Sequence, residues 1–330
     1  MDNILHMKYY LPVHKTYRHI IHIFCIGIIS STYISNITQR EVNIFIICIQ
    51  GQHHSIMTPT SGRVAVVTGA NKGIGFFIAL QLGASGLFQH VILACRDPVR
   101  GQAAVTKIAG STGNKASISC LPLTLGDVDS HEDLRESLEK QFGKVDCLVN
   151  NAAMAYKGAD PTPFVEQCTP TLDINFRGTV DLTEKLLPLV KKGSDARIVN
   201  VASMSGHLNQ IKSKELKDQF RSSSLTMPAL KTLVIKFEMD VKSGQHLNQG
   251  WGNSNYGMSK LAVIAATKVW ANENPEIKIN CCCPGYCKTD MTSQNGARNP
   301  SDGARNAVLP ATMENPPTGE LFANFEVSSW

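Results

Sequence analysis

Tyr256 and Lys260 stand four residues apart in Tyr-Gly-Met-Ser-Lys. That spacing places both on one face of a helix. A phenol with a pKa near ~10 is a poor acid–base group at neutral pH. An ammonium beside it stabilises the phenolate and lowers that pKa toward the working range. The pair is therefore a candidate proton carrier to or from an oxygen. Alone the spacing is weak evidence, because many surface helices contain it. Its weight comes from polar residues upstream. Ser203 directly follows an apolar segment, and so does Asn150-Asn151-Ala152-Ala153. Asn175 interrupts a mostly apolar helical stretch in Asp173-Ile174-Asn175-Phe176. A helix asparagine of this kind more often satisfies a backbone group or water than it does chemistry.

A second chemistry-bearing segment is Thr68-Gly69-Ala70-Asn71-Lys72-Gly73-Ile74-Gly75. It follows the apolar run Arg63 to Thr68 and precedes a helical stretch. Glycines let the backbone approach a pyrophosphate, and the helix N-terminus offers free N–H groups and a positive dipole end. Three glycines alone mark any tight turn, but between a buried strand and a helix they indicate a dinucleotide site. An NAD site usually carries a carboxylate about 20 residues on, for the ribose diol. Here Cys95 and Arg96 hold that place, Arg100 follows, and Lys72 lies in the turn. Three cations and no strand-end carboxylate favour a 2′-phosphate, hence NADP. Asp97 reads as a helix cap.

Strands and helices must alternate to position these groups. Expected strands are Arg63–Thr68, Val91–Ala94, Ala116–Leu123, Asp146–Val149, Arg197–Ala202 and Ile277–Cys282, with a last short one from Glu320 to Phe325. Expected helices are Ile74–Leu87, Asp97–Ala109, Asp129–Phe142 capped by Asp129 or Ser130, Phe164–Val190 and Tyr256–Glu273. The pattern is that of an α/β, Rossmann-type, doubly wound domain: a mostly parallel seven-stranded sheet with helices on both faces. Residues 207–250 interrupt it with helical stretches at Lys214–Phe220 and Pro228–Val241.

Residues 1–56 differ. Their apolar runs, Ile20 to Ile29 and Asn43 to Ile49, are short of the ~20 residues of a membrane span. Lys8, Lys15 and Arg18 before the first run allow a signal-peptide reading, but no clear cleavage site follows. We read 1–56 as a poorly ordered extension, with Met57 a natural start of a single domain, 57–330. Net charge is +5 without a block of five like charges, so no nucleic-acid or membrane-surface footprint is indicated. The ten cysteines follow no disulfide framework. Cys281, Cys282, Cys283 and Cys287 cluster, but three adjacent thiols cannot all face one metal. We expect reduced thiols and no metal, with Cys282 or Cys283 the candidates for reactivity.

In this order the pieces resemble the short-chain dehydrogenase/reductases, and within them the monomeric carbonyl reductases. The segments that carry the resemblance include Val66 to Gly75, Arg96-Asp97 with Arg100 to Val105, Leu148 to Ala152, Ala159 to Phe164, and Cys282-Cys283-Pro284-Gly285 with Thr289-Asp290-Met291. The resemblance implies a cytoplasmic, monomeric enzyme that reduces small-molecule ketones, aldehydes or quinones with NADPH. It implies Tyr256 as general acid, Lys260 as its pKa modulator and ribose ligand, Ser203 as the hydroxyl polarising the carbonyl, and Asn175 as holder of a relay water. It implies cofactor contacts from the glycine turn (Gly69, Asn71, Lys72, Gly73, Ile74, Gly75), from Arg96, Arg100 and Asn150, and from Pro284, Gly285 and Thr289. The long interval before Tyr256 resembles the insert that covers the pairing surface of oligomeric relatives. Ala153, Thr124 and Ala202 depart from the usual glycine, aspartate and serine, which bears on cofactor affinity. Two other readings are a low-activity NADP-binding regulatory protein and a reductase tethered through residues 1–56.

Overall fold

The apolar runs become parallel strands in a computed structural model that describes residues 60–113 and 115–330. They are β1 Val64–Thr68, β2 His90–Cys95, β3 Ser117–Pro122, β4 Cys147–Asn150, β5 Arg197–Val201, β6 Lys278–Cys283 and β7 Leu321–Ala323. β1, β4 and β5 are buried at every residue. Continuous apolar runs suit this position, because helices cover both faces of a parallel sheet. One face packs Val66, Leu148, Ile198 and Ile279. The other packs Val67, Val149, Val199 and Cys282.

The sheet order is β3-β2-β1-β4-β5-β6-β7-β8, so β1 and β4 flank the point where the winding reverses. Beyond the ends of strands at such a point lies a crevice. β8, Glu326–Ser328, is an eighth, antiparallel strand that the seven-strand expectation lacked. It forms a hairpin with β7 through Asn324 and Phe325, both at positive φ (52° and 70°). Glycine usually marks such a turn, and Phe325 gave no such signal. Asn306 Oδ1 accepts from Phe325 N at 2.9 Å, and the Arg305 guanidinium lies 4.6 Å from the Phe325 ring centre.

The helices are α1 Gly73–Ala84, α2 Pro98–Thr112, α3 Val128–Phe142, α4 Phe164–Leu172, α5 Thr179–Lys191, α6 Lys214–Arg221, α7 Met227–Lys242, α8 Asn255–Glu273 and α9 Pro300–Thr312. Asp97 caps α2 as read, accepting from Val99 N and Arg100 N. Asp127, rather than Asp129 or Ser130, caps α3. The long helix expected over Phe164–Val190 is divided by a π-helical turn, Asp173–Gly178. α9 was not expected, although Asn299-Pro300 is a cap followed by proline at the first helical position. Pro310 inside it obscured the helical pattern.

α6 and α7 realise the helical insert within 207–250. Trp251, 1% exposed, packs edge-on against Phe220 and Phe237 and donates from Nε1 to Asp240 Oδ2 at 2.7 Å. The described residues form one unit. Residues 1–56 and Met57, with the extension reading attached to them, lie outside the described residues. Among the described residues no helix is long and apolar enough to cross a membrane.

Candidate active site

β1 runs into the glycine turn, where Gly69 (φ +64°) and Gly73 (φ +59°) adopt the left-handed conformation that glycine favours. At Gly75 a Cβ would collide with Asn151 Nδ2 and sit 2.6 Å from the Gly69 carbonyl oxygen. The turn is thus stripped of side chains where the backbone is tightest. Lys72, at the N-cap of α1, contributes no capping hydrogen bond, so the first-turn N–H groups remain available to an anion. Thr289 stands over the turn: its Cγ2 would be 3.6 Å from a Cβ on Gly73. These features fit the phosphates of a dinucleotide. Lys72 Nζ pairs with Asp290 Oδ2 at 2.7 Å, with both side chains exposed. An exposed pair is worth little, so Lys72 is free to exchange Asp290 for a phosphate.

Arg96 and Arg100 are exposed beside the end of β2. Arg100 Nε lies 3.2 Å from Asp97 Oδ2, and Asp97 is committed to its helix cap. The structure therefore leaves two guanidinium groups and no free carboxylate at that edge.

α8 carries Tyr256 and Lys260. Its N-cap is Ser254, which accepts from Gly257 N. Lys260 is 3% exposed, and its Nζ donates to the Val201 carbonyl at the end of β5 at 2.7 Å. The ammonium is 5.7 Å from the centre of the Tyr256 ring. Burial pushes the Lys260 ammonium down to about 8. Burial pushes the Tyr256 phenol up to about 12, aided by the Cys283 thiol and opposed by a hydrogen bond with Ser203. The phenol thus holds its proton through the neutral range. Ser203 Oγ accepts from Ser205 N at 3.1 Å, which fixes the hydroxyl just past β5. Tyr256, Lys260 and Ser203 therefore lie together just past β5, but burial raises the phenol where the sequence reading expected the ammonium to lower it.

Asn175 lies in the π-helical turn, a distortion common at functional sites. Its Oδ1 accepts from Met154 N at 2.8 Å, and its Nδ2 donates to Met154 O and to Ser259 Oγ at 3.0 Å. Ser259 in turn donates to the Tyr256 carbonyl at 2.8 Å. Asn175 thus ties the loop after β4 to α8. The sequence reading passed over Ser259, although it sits inside the quoted Tyr-Gly-Met-Ser-Lys. Asn150 is not brought to the cleft by its side chain, which donates to Thr183 Oγ1 and Asn200 Oδ1. Any cofactor contact there falls to its backbone. Asn151 donates from Nδ2 to the Thr68 carbonyl at 2.8 Å and holds the turn from beneath.

Pro284 and Gly285 follow β6 at the same end of the sheet, and Gly285 (φ +82°) packs on Arg298. Cys283 Sγ accepts from Met204 N and Gly285 N, joining the Ser203 loop to this one. Cys281, Cys282 and Cys287 are buried, and burial raises each thiol, strongly so at Cys282. The thiol form is the less reactive one, so burial disfavours reaction at Cys282. Ala202 packs with Val263 and Ile264, and Thr124 N donates to Ser130 Oγ. Among the described residues no group of three His, Cys, Asp or Glu side chains is placed to hold a metal.

Residues 63–214 and 239–300 match the family described as short chain dehydrogenase. The chain belongs to the short-chain dehydrogenase/reductase family. It is an NAD(P)-dependent oxidoreductase on that family's Rossmann-type fold. The unmatched interval falls in α6 and α7, the insert. The chain is 40% identical over 281 residues to "Carbonyl reductase [NADPH] 1" of Macaca fascicularis, covering 81% of this chain and 98% of that one. It is 39% identical to the Homo sapiens protein of the same name over 280 residues, with the same coverage. Among solved structures, salutaridine reductase from Papaver somniferum superposes with a TM-score of 0.72 at 31% identity, covering 79% and 99% of the two chains. Menthone neomenthol reductase from Mentha piperita follows with 0.69 at 28% identity, covering 80% and 99%.

Proposed function

We propose that this enzyme reduces ketones, aldehydes and quinones to alcohols with NADPH, acting as a single chain. The carrying observation is the Tyr256 phenol set beside the buried Lys260 side chain and the Ser203 hydroxyl. Bound at the glycine turn, the cofactor supplies the hydride. Ser203 donates a hydrogen bond to the substrate oxygen and polarises the carbonyl. Tyr256 gives its proton to that oxygen as negative charge develops on it. Lys260 stabilises the phenolate left behind, and its remaining N–H groups are free for the cofactor ribose while one holds Val201. Asn175 and Ser259 keep α8 in register with the β4 loop. The exposed guanidinium groups of Arg96 and Arg100, with Lys72, favour a 2′-phosphate over a bare ribose diol. The relatives' names, which specify NADPH, support the same choice.

NADPH oxidation with menadione and with an aromatic ketone tests this reading. NADPH is expected to outperform NADH in kcat/KM, and the double substitution Arg96→Ala with Arg100→Ala to erase the difference. Equal use of both cofactors by the wild type would overturn the NADP assignment. Tight NADPH binding without turnover on any carbonyl would favour a regulatory nucleotide-binding role instead.

A further inference from the structure

Cys95 ends β2 and Cys120 lies in β3, and the mechanism above uses neither. The strands pair in parallel with Leu93 opposite Cys120 and Cys95 opposite Pro122. The two cysteines therefore project from one face, two residues out of step. Both converge on Gly101 of α2. A Cβ there would collide with Cys120 Sγ and lie 3.4 Å from Cys120 Cβ and 3.5 Å from Cys95 Cβ. The two thiols lie close enough to perturb one another, and the Cys95 sulfur lies beside the backbone of Ala70 and Asn71 in the glycine turn. Cys95 is buried and Cys120 half-buried. The contact between the two thiols lowers Cys120 and, with burial, raises Cys95, so Cys120 is the thiolate that attacks first; once its sulfur is in a mixed disulfide, the contact that raises Cys95 is gone.

We propose that Cys95 and Cys120 form an oxidisable dithiol whose closure to a disulfide weakens cofactor binding at the adjoining turn. The coupling rests on the dinucleotide reading of that turn. The oxidant class is a small-molecule disulfide such as oxidised glutathione. Cys120 thiolate attacks one of its sulfurs, forming a mixed disulfide and expelling one glutathione thiolate. Cys95 then attacks the Cys120 sulfur and expels the second. Two protein thiols are oxidised to one disulfide, the glutathione disulfide is reduced to two thiols, and these carry away both protons. A two-residue stagger on neighbouring strands separates the Cα atoms by roughly 8 Å. A disulfide spans at most about 6.8 Å without backbone movement. Closure therefore draws the end of β2, with Arg96, toward β3 and away from Ala70 and Asn71.

The full chain is oxidised with glutathione disulfide, alkylated and digested with trypsin. The expected product links the peptide from Gly73 to Arg96 with that from Ala116 to Arg135, each containing one cysteine. Bound NADPH is expected to suppress the link. Titration should show the Kd for NADPH rising about tenfold on oxidation, on the order of one lost charged contact, and returning with dithiothreitol. Cys120→Ser is expected to bind like the reduced wild type and to ignore the oxidant, with Cys120→Ala and a melting curve as controls for folding. Absence of this linked pair, or a linked pair with unchanged Kd, overturns the proposal. A reduced protein that binds no NADPH overturns the dinucleotide reading and the coupling with it, whatever the peptide map shows.

Discussion

Burial moves the two central side chains in opposite directions: the phenol's rise suits reduction, while the lysine's fall sets an alkaline limit to it. The Tyr256 phenol, pushed up to about 12, is present as the acid that must give up a proton. The Lys260 ammonium, pushed down to about 8, sits close to losing its own. The sign follows directly. Below pH 8 Lys260 is charged and stabilises the phenolate as it forms. As pH rises through 8 that charge disappears, while Tyr256 stays neutral. The kcat/KM for NADPH in the reductive direction, which reports the free enzyme, is expected to be level below pH 8 and to decline above it. Lys260→Met should lose about 10²-fold or more in rate together with that alkaline limb. A profile flat through pH 9.5, about one and a half units past the shifted value, would contradict the assignment.

Helix α7 is locked onto the fold by Glu238, 7% exposed, which meets Arg177, Thr169 and Lys242. Burial opposes its charge, but those three partners prevail and hold the carboxyl at about 2. A depressed carboxylate contributes stability above its unfolded value of about 4.5 and loses it as pH falls toward 2. The shift corresponds to about 3 kcal/mol at neutral pH. Glu238→Gln is expected to lower the urea unfolding free energy by about 1–3 kcal/mol at pH 7. The deficit should shrink as pH falls below 4.5. A deficit independent of pH would separate α7 docking from this carboxylate. The strands and most helices were legible because short apolar segments such as Val64-Ala65-Val66-Val67 and Cys147-Leu148-Val149 alternate with helical stretches, and each ends at a polar or glycine turn. Asp97-Pro98 announced α2, and the four-residue spacing of Tyr256 and Lys260 announced their shared face. Three features were not legible. Phe325 in a left-handed turn gave no glycine signal for β8. Pro310 masked α9. The direction of the Asn150 side chain depends on Thr183 and Asn200, distant in sequence.

The crevice beyond β1 and β4 gathers groups from five places in the chain: the glycine turn, the β2 end, the Ser203 loop, α8 and the loop after β6. Strand order brings them to one end of the sheet, which is why spacing in the sequence understates their proximity. The insert adds α7 against α4 and α8 rather than a second domain. If that covering replaces a partner, sedimentation of the enzyme should show a single chain at micromolar concentration. A stable dimer or tetramer would contradict the monomer proposal. The convergence of phenol, ammonium and hydroxyl is the claim on which the rest depends, and Tyr256→Phe tests it most directly. The substituted protein is expected to bind NADPH as tightly as the wild type and to lose roughly 10²–10⁴-fold in carbonyl-dependent NADPH oxidation. Turnover that survives the substitution would show that the proton comes from elsewhere.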